Sequence, residues 1–514
     1  MARDVGAVFD LIRRTGLLDP TRTAALAGGL TRWGPSLAAG VAAGAVRLRN
    51  RPAVIDEAGT VTWGQLDHRT SLLARGLRAH RVPRGSQMGI LCRNHRGFVE
   101  ASVAAAKAGL VPVYLNTGSA AAQLAEVIER ESIGVLVGDA ELLADLANAA
   151  VPGPIFAIGP DWDAVADAGR GRFDLLLPST IAPVIMTSGT TGTPKGARRK
   201  VGLSSSAGSV GLLERIPYRS DDTIVIPAPL FHAWGLAHLT IAVSLGATIV
   251  LTERFDPEST LDAVARHGGT VLAVVPVMLQ RLLASDLDLS PLRRLRIVAS
   301  SGSALPATVA LEWMDRCGDH LYNLYGSTEV GQASIATPDD LREAPGTAGR
   351  PVDGSTVMIL DSDGEPVPDG ESGRIFVGSG ASFDHYTGGG DKERVHGLLS
   401  SGDVGHLDAD GRLFVTGRAD DMIVSGGENV FPDVVEALLL EHPAVIDAAV
   451  VGVDDPEFGQ RLKAVLVVDG VLTADGVQAH VAGRLGRHFV PRDVEFVAVL
   501  PRNTTGKLLR RQLS

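Results

Sequence analysis

The chain has 514 residues, 45% of them hydrophobic and 21% charged, with a formal net charge of −11. That apolar content excludes a disordered chain, and the length suits about three domain-sized units with sizeable cores. The acidic balance argues against a nucleic-acid partner, because phosphate binding needs a basic surface. Only six of the 48 basic residues are lysines, so each lysine invites a reason.

Residues 1–50 read as a helical extension. The opening MARDVGAVFDLIRRTG carries Asp4 and Asp10 and has no apolar core followed by a cleavage site, so no secretory signal is expected. Gly34 to Val46 is lipophilic but too short to cross a bilayer; a packed or surface helix is the main reading, with peripheral membrane contact the lesser one. The two cysteines, Cys92 and Cys317, are far apart and suggest neither a disulfide framework nor metal-ligand spacing, so a reducing cytoplasm is expected.

From about residue 50 apolar strands alternate with amphipathic helices. Strands are expected at Thr60 to Trp63, Met88 to Cys92, Val111 to Leu115 and Val135 to Val137, with helices at Gly64 to His80, Gly97 to Ala108 and Ala120 to Glu131. Further strands follow at Ile181 to Met186, Thr223 to Ile226, Ala247 to Leu251, Thr270 to Val275 and Arg296 to Ala299. This alternation predicts an α/β fold, with helices layered on mainly parallel sheets in an αβα arrangement. Pro345 to Gly417 is rich in Gly and Asp with short alternating strands and reads as a small β-rich subdomain. Beyond Met422, a helix (Val434 to Glu441), two strands (Ile446 to Val453, Leu462 to Val468) and a second helix (Ala474 to Leu485) form an α+β unit able to close its own core. A domain boundary therefore falls close to Arg418.

Thr187 to Gly196 reads TSGTTGTPKG directly after the Ile181 to Met186 strand. Glycines permit close backbone approach, the hydroxyls of Thr187, Ser188, Thr190, Thr191 and Thr193 add donors to the backbone N–H groups, and Lys195 adds a positive charge, which together suit a polyphosphate. The spacing is not that of a Walker A loop. By composition alone, a Ser/Thr/Gly loop of this kind is also what a solvated turn looks like.

The ordered string says more. TSGTTGTPKG resembles the nucleotide-phosphate signature of the acyl-adenylate-forming superfamily, which includes acyl-CoA and aryl-CoA synthetases. Four further segments match in the expected order: YGSTE at Tyr325 to Glu329, SGDVGHLDADGRLFVTGRADDMI at Ser401 to Ile423, SGGENVFP at Ser425 to Pro432, and PRNTTGKLLR at Pro501 to Arg510. The resemblance covers roughly residues 50 to 514. It implies an N-terminal AMP-binding domain over residues 51–417, a hinge at 418–421 and a mobile C-terminal lid over 422–514.

What the resemblance implies for single residues follows the motifs. Thr187, Ser188, Gly189, Thr190, Thr191, Gly192 and Lys195 would hold ATP phosphates. Glu329 would hold Mg²⁺ through oxygen, Thr328 would face the α-phosphate, and Tyr325, Gly326 and Ser327 would flank the nucleotide, with the Tyr325 ring available for stacking on adenine. Asp403 would accept the ribose hydroxyls, joined by Arg418. Lys507 would bridge substrate carboxylate and α-phosphate, a catalytic role suited to a point charge on a flexible stem. Asp420 matches the hinge position, where the short polar stretch Ala419 to Asp421 can absorb a large rotation. Ser425, Gly426 and Gly427 would line a coenzyme A tunnel; as a sequence they equally make a turn before the next helix.

PLFHAWG at Pro229 to Gly235 resembles the motif beside the reacting carboxylate. His232 reads as wall and orienter of an acyl pocket, not as a general base, and Trp234 as the wall or gate of an apolar tail tunnel. Ser301, Gly302, Ser303 and Ala304 stand where relatives carry a small turn at the adenine and acyl floor, Ser303 adding a hydroxyl. The ARRKVG run after Gly196 and Gln460 depart from the common pattern.

FHAWGL holds no acidic group for an α-amino substituent, which disfavours an amino acid. The expected substrate is a hydrophobic carboxylic acid, a fatty acid first and a bulky or aromatic acid second. With no long insertion before the hinge, coenzyme A is the expected acceptor and an acyl-carrier protein the runner-up. A non-catalytic nucleotide-binding protein is the reading from another class. Monomer and homodimer stay equally open.

Overall fold

The computed structural model describes residues 5–146, 151–172, 182–186, 196–198, 211–380, 385–386, 392–425, 428–455, 459–503 and 506–513. By compactness the chain divides into two units. One is Met1–Val274, Ala284–Ala299 and Gly380–Asp391; the other is Val275–Leu283, Ser300–Ser379 and Lys392–Ser514. The 418–421 segment lies inside the second.

Two largely parallel sheets organise the first unit. In one, the strands run in the order Ile297–Ser300, Val271–Val274, Thr223–Ile226, Thr248–Leu251, Pro52–Asp56 and Gly59–Thr62. Its central pairings are parallel, with Thr248 opposite Thr223 and Val271 opposite Ile224, and an antiparallel hairpin closes the edge. In the other, Val184–Met186, Val111–Tyr114, Gln87–Leu91, Ile133–Gly138 and Ile155–Ala157 are parallel neighbours, flanked by the short antiparallel strands Gly196–Arg198 and His385–Tyr386. Strands such as Val111–Tyr114 are buried throughout, as expected for sheets with both faces covered.

The expected elements are present with shifted ends. Trp63 opens a helix instead of ending a strand, because Thr62 and Gln65 form a reciprocal capping box that starts Trp63–Ala79. Residues 5–47 form three helices, Val5–Arg14, Pro20–Trp33 and Leu37–Arg47. The last buries Ala38, Ala39, Gly40, Val41, Ala43 and Gly44 against protein, so this stretch is a packed helix. Arg22, 3% exposed, donates to the Leu245 carbonyl at 2.7 Å, and Arg14 donates to the carbonyls of Ile216 and Tyr218 at 3.2 and 3.1 Å. Guanidinium groups thus satisfy carbonyls left open at chain turns and at a helix end. The helical extension is built into the unit.

In the second unit the hairpin Leu321–Ser327 and Gly331–Ala336 is followed by the antiparallel sheet Ser355–Leu360, Gly373–Ser379, Leu398–Leu407 and Leu413–Arg418, the β-rich part anticipated from composition. The C-terminal portion pairs Val445–Asp455 with Gly459–Val468 antiparallel, adds Asp493–Phe496 in parallel, and covers them with Pro432–Leu439 and Ala474–Leu485. Val435, Leu439, Val450, Leu462, Leu466, Val477 and Val481 make its core.

Lys107 is fully buried in the helix Arg96–Ala108. Its ammonium donates to the Asp67 carboxylate at 2.7 Å, the Asp67 carbonyl and Thr70 Oγ1 at 2.8 Å, and Ser71 Oγ at 3.0 Å. Burial pulls its pKa below the ordinary lysine value, with Asp67 acting against that shift. Lys107→Met is expected to lower stability by about 2–4 kcal/mol in denaturant unfolding, since Asp67, Thr70 and Ser71 lose their donor while Asp67 keeps partial access to water.

Candidate active site

Tyr325, Asp403, Arg418, Asp420 and Lys507, singled out from the sequence, converge in the second unit. Gly402 sits at φ +84 in the strand Leu398–Leu407, and the register of this strand with Leu413–Arg418 sets Asp403 directly opposite Arg418. The Asp403 carboxylate accepts from Arg418 Nη1 at 3.2 Å and from the Tyr325 hydroxyl in a short hydrogen bond, and its own N–H donates to Ser401 Oγ at 3.0 Å. Burial pushes the Tyr325 phenol well up, and the Asp403 charge adds to that shift, so Tyr325 stays a donor. Burial acts against the Arg418 charge, but Asp403, Asp420 and Asp421 outweigh it and raise its pKa. Arg418 Nε is buried with no protein partner among the described residues, a donor available to a ligand.

Around this pair is a recess of about 250 Å³ lined by Arg374, Lys392, Glu393, Ser400, Gly402, Asp403, Arg418, Ala419 and Asp420. Lys392 donates to the Ser401 carbonyl at 2.9 Å and so steadies the turn that carries Asp403. Motif reading passed over Lys392; the scarcity of lysine was the signal that could have found it.

Glu329 and Thr328 lie in the turn between Leu321–Ser327 and Gly331–Ala336. The Ser327 hydroxyl donates to the Glu329 carboxylate at 2.8 Å and accepts from the N–H groups of Glu329 and Val330, both at 3.2 Å. Ser301, Gly302, Ser303 and Ala304 form a turn in which Ser301 is buried and Gly302 has φ +101, while Ser303 is half-buried and Ala304 exposed.

Lys507 follows Gly506 in a tight turn. The Gly506 N–H donates to the Asn503 carbonyl at 2.9 Å, the Lys507 N–H to Asn503 Oδ1 at 2.8 Å, and Arg502 Nη1 to the Gly506 carbonyl at 2.8 Å. Burial and the Arg418 charge hold the Lys507 ammonium below the ordinary lysine range, with Asp421 and Asp403 opposing. Lys507 is therefore within electrostatic reach of the Asp403–Arg418 pair. Ala419–Asp421 is a single 3₁₀ turn between two strands, and Asp420 is an exposed carboxylate 3.6 Å from Arg418. Ser425 ends the strand Ile423–Ser425. Gly426 and Gly427 lie outside the described residues, as do Thr187, Ser188, Gly189, Thr190, Thr191, Gly192 and Lys195.

In the first unit, His232 precedes the helix Ala233–Leu245. Burial pulls its pKa down to about 4, and its Nε2 has no partner among the described residues. A neutral imidazole with an open nitrogen can orient a polar group in an apolar wall. Trp234 is not free to swing as a gate: its indole N–H donates to the Val274 carbonyl at 2.9 Å, and its ring stands edge-on to His238 at 4.4 Å. His238, fully buried and pulled down to about 4, is held between the Trp234 carbonyl at 3.1 Å and the Tyr218 hydroxyl at 2.8 Å. These contacts hold the Trp234 ring in one place.

Folding also gathers one group that chain spacing did not announce. Cys92, His95 and Asp139 offer ligand atoms within 4.8 Å of one another. His95 Nδ1 accepts from the Gly97 N–H at 3.0 Å and Nε2 faces Asp139 at 2.7 Å, so both ring nitrogens are used in holding two loops and the helix start together. The group does not fit a metal centre.

Comparison with known proteins adds to this geometry. A model of the AMP-binding enzyme family matches residues 41–387, and one of the AMP-binding enzyme C-terminal domain matches 434–507. The chain is 33% identical over 483 residues to a feruloyl-CoA synthase of Amycolatopsis sp, covering 91% of this chain and 96% of that one. It is 30% identical over 501 residues to a sulfoacetate–CoA ligase of Cupriavidus necator, covering 93% and 97%. The solved structure of an o-succinylbenzoate CoA synthetase from Bacillus subtilis, in complex with its acyl-adenylate intermediate, superposes with a TM-score of 0.82 at 29% identity, covering 92% of this chain and 97% of that one.

Two outcomes follow from the buried groups. The unfolded chain binds protons at His232 and His238 near the ordinary value of 6.5, whereas the folded chain does so only near 4. Stability should therefore be level above about pH 6.5 and fall as pH drops from there toward 4, where the unfolded state holds more protons. Thermal melts at pH 7.5, 6.5 and 5.5 read this, and His238→Gln should flatten the slope. Gly506 has φ +78, and a Cβ there would lie 2.2 Å from Val277 Cγ1. Gly506→Ala should accordingly displace the Lys507 turn and make the 503–507 segment measurably more sensitive to proteolysis.

Proposed function

The chain belongs to the AMP-binding enzyme family, and we propose from that premise that it activates a hydrophobic carboxylic acid, fatty or aromatic, with ATP and passes the acyl group to coenzyme A. It is an acyl-CoA synthetase of the AMP-forming type, matching CoA synthetases and ligases over nearly its whole length. In the first half-reaction a carboxylate oxygen attacks the α-phosphorus and pyrophosphate leaves. In the second, the thiol sulfur of coenzyme A attacks the acyl carbon, its proton goes to solvent, and AMP leaves.

The observation that carries this reading is the linked set Tyr325, Asp403, Arg418 and Lys507, four residues from three separate motifs that share one electrostatic environment. Asp403 and Arg418 would hold the ribose, with the open Arg418 Nε as a further donor. Lys507 supplies the positive charge that two approaching anions require, and its depressed pKa reflects the cost of burying that charge before substrate arrives. His232, neutral, orients the acid without taking its proton.

Glu329 with the Ser327 and Thr328 hydroxyls is a set of hard oxygen donors that fits Mg²⁺, which keeps few protein ligands and leans on phosphates. When bound, the ion would neutralise phosphate charge. The turn at Asp420 joins strands that can stay intact while it rotates, so the lid can leave the adenylation arrangement and present Ser425 and its neighbours to the thiol.

The test is acid-dependent pyrophosphate release together with hydroxamate trapping, with and without coenzyme A, across a panel of fatty and aromatic acids. Wild type should release pyrophosphate with at least one hydrophobic acid and form its CoA thioester. Lys507→Ala should lose about 100-fold or more in acyl-AMP formation. Hydroxamate without any thioester would reduce the activity to adenylation alone, and no pyrophosphate with any acid would refute the ligase reading.

A further inference from the structure

The strand Thr223–Ile226 leads into Pro227, Ala228, Pro229, Leu230, Phe231 and His232 before the helix Ala233–Leu245 begins. Prolines at 227 and 229 remove two backbone donors from this link. Buried carbonyls there must still be satisfied. The partner comes from more than 130 residues away in sequence. Asn94, 4% exposed, donates from Nδ2 to the Ile226 carbonyl at 3.1 Å and the Ala228 carbonyl at 2.9 Å, and its Oδ1 accepts from the Leu230 N–H at 2.8 Å. A carboxamide offers two donors and an acceptor in one plane; aspartate has no donor and serine is too short to span three sites.

Asn94 is itself held firmly. The Arg93 N–H donates to the Asp139 carboxylate at 3.0 Å, and the His95 ring is fixed between Asp139 and the Gly97 N–H. On the other side, the link presses directly on the helix it feeds. A Cβ on Gly235 would lie 2.3 Å from the Pro229 carbonyl oxygen and 2.8 Å from that of Ala228, and the His232 N–H donates to the Pro229 carbonyl at 3.2 Å. The first helical turn therefore has no slack against the link that Asn94 grips.

We infer that Asn94 is a positioning residue for the acid-binding wall: by clamping Ile226–Leu230 it fixes where His232 and Trp234 stand. The inference rests on the acid-pocket reading of those two residues. Among the described residues the Asn94 side chain bonds to Ile226, Ala228 and Leu230, all in the link to the acid wall, so its expected effect is selective for the acid.

In steady-state kinetics with an acid that wild type turns over, Asn94→Ala should raise the acid KM about tenfold and change the ranking of acids, while the ATP KM stays within about twofold. A drop in melting temperature with unchanged acid KM and ranking would overturn the inference, because a merely structural role predicts just that. If Asn94→Ala does not accumulate as folded protein, Gly235→Ala stresses the same contact from the helix side. It should show the same acid-selective KM rise, and an equal rise in both KM values counts against the clamp. A crystal structure of Asn94→Ala gives an arm independent of turnover: Pro229–Trp234 should be displaced while Arg93, His95 and Asp139 stay in place, and an unmoved link refutes the proposal. Failure of the ligase reading looks different, as wild type would then release no pyrophosphate with any acid while this structural arm still gives its answer.

Discussion

A buried carboxylate cannot stand alone, and the candidate nucleotide site is organised around compensating one. Asp403 is only 14% exposed at its side chain, and it is held by a guanidinium from the facing strand and a phenol from the hairpin Leu321–Ala336. Each partner is in turn constrained by Asp403. The phenol is kept protonated, the guanidinium is kept extended across the strand pair, and Arg418 is left 3.6 Å from Asp420. One acceptor-only group thereby connects the β-rich sheet, the hairpin that carries YGSTE and the turn Ala419–Asp421. Lys507 feels the same charges from the far end of the chain.

Positive charge is used in two distinct ways. Arginines finish backbone turns and pair with carboxylates throughout, as Arg14 and Arg22 do for the N-terminal helices. Lysines are few, and their environments separate them. Lys107 is fully enclosed with a complete set of acceptors and can do nothing but hold two helices together. Lys507 is largely buried, its charge is disfavoured, and it is mounted on a turn that only glycine can make. Both charges are disfavoured by burial, but the Lys107 ammonium is saturated by Asp67, Thr70 and Ser71, whereas Lys507 shares the charge environment of Asp403 and Arg418.

Motif reading singles out residues whose proposed chemistry is carried by their own side chains: Tyr325, Glu329, Asp403, Arg418 and Lys507. It could not locate Asn94, because nothing in the string CRNHRG announces that the partners will be carbonyls of Ile226 and Ala228. It placed Trp63 in a strand because the alternation of TVTW looks extended, whereas the reciprocal cap of Thr62 and Gln65 favours a helix one residue earlier. It allowed Trp234 to gate, since an indole beside an apolar run can swing until a carbonyl such as that of Val274 pins it.

The sequence by itself determined the α/β order, the β-rich part before the C-terminal unit, and the family. Periodicity and ordered motifs are local properties, and local interactions are enough to express them. The tertiary structure alone decided which groups share a charge environment, which polar atoms are left open, and which side chains are locked. Cys92, His95 and Asp139 meet only because two parallel strands end side by side, and Asn94 finds its three partners only because two sheets set their loops together. Those relations depend on distances across the chain, and separation along a sequence carries no measure of distance in space.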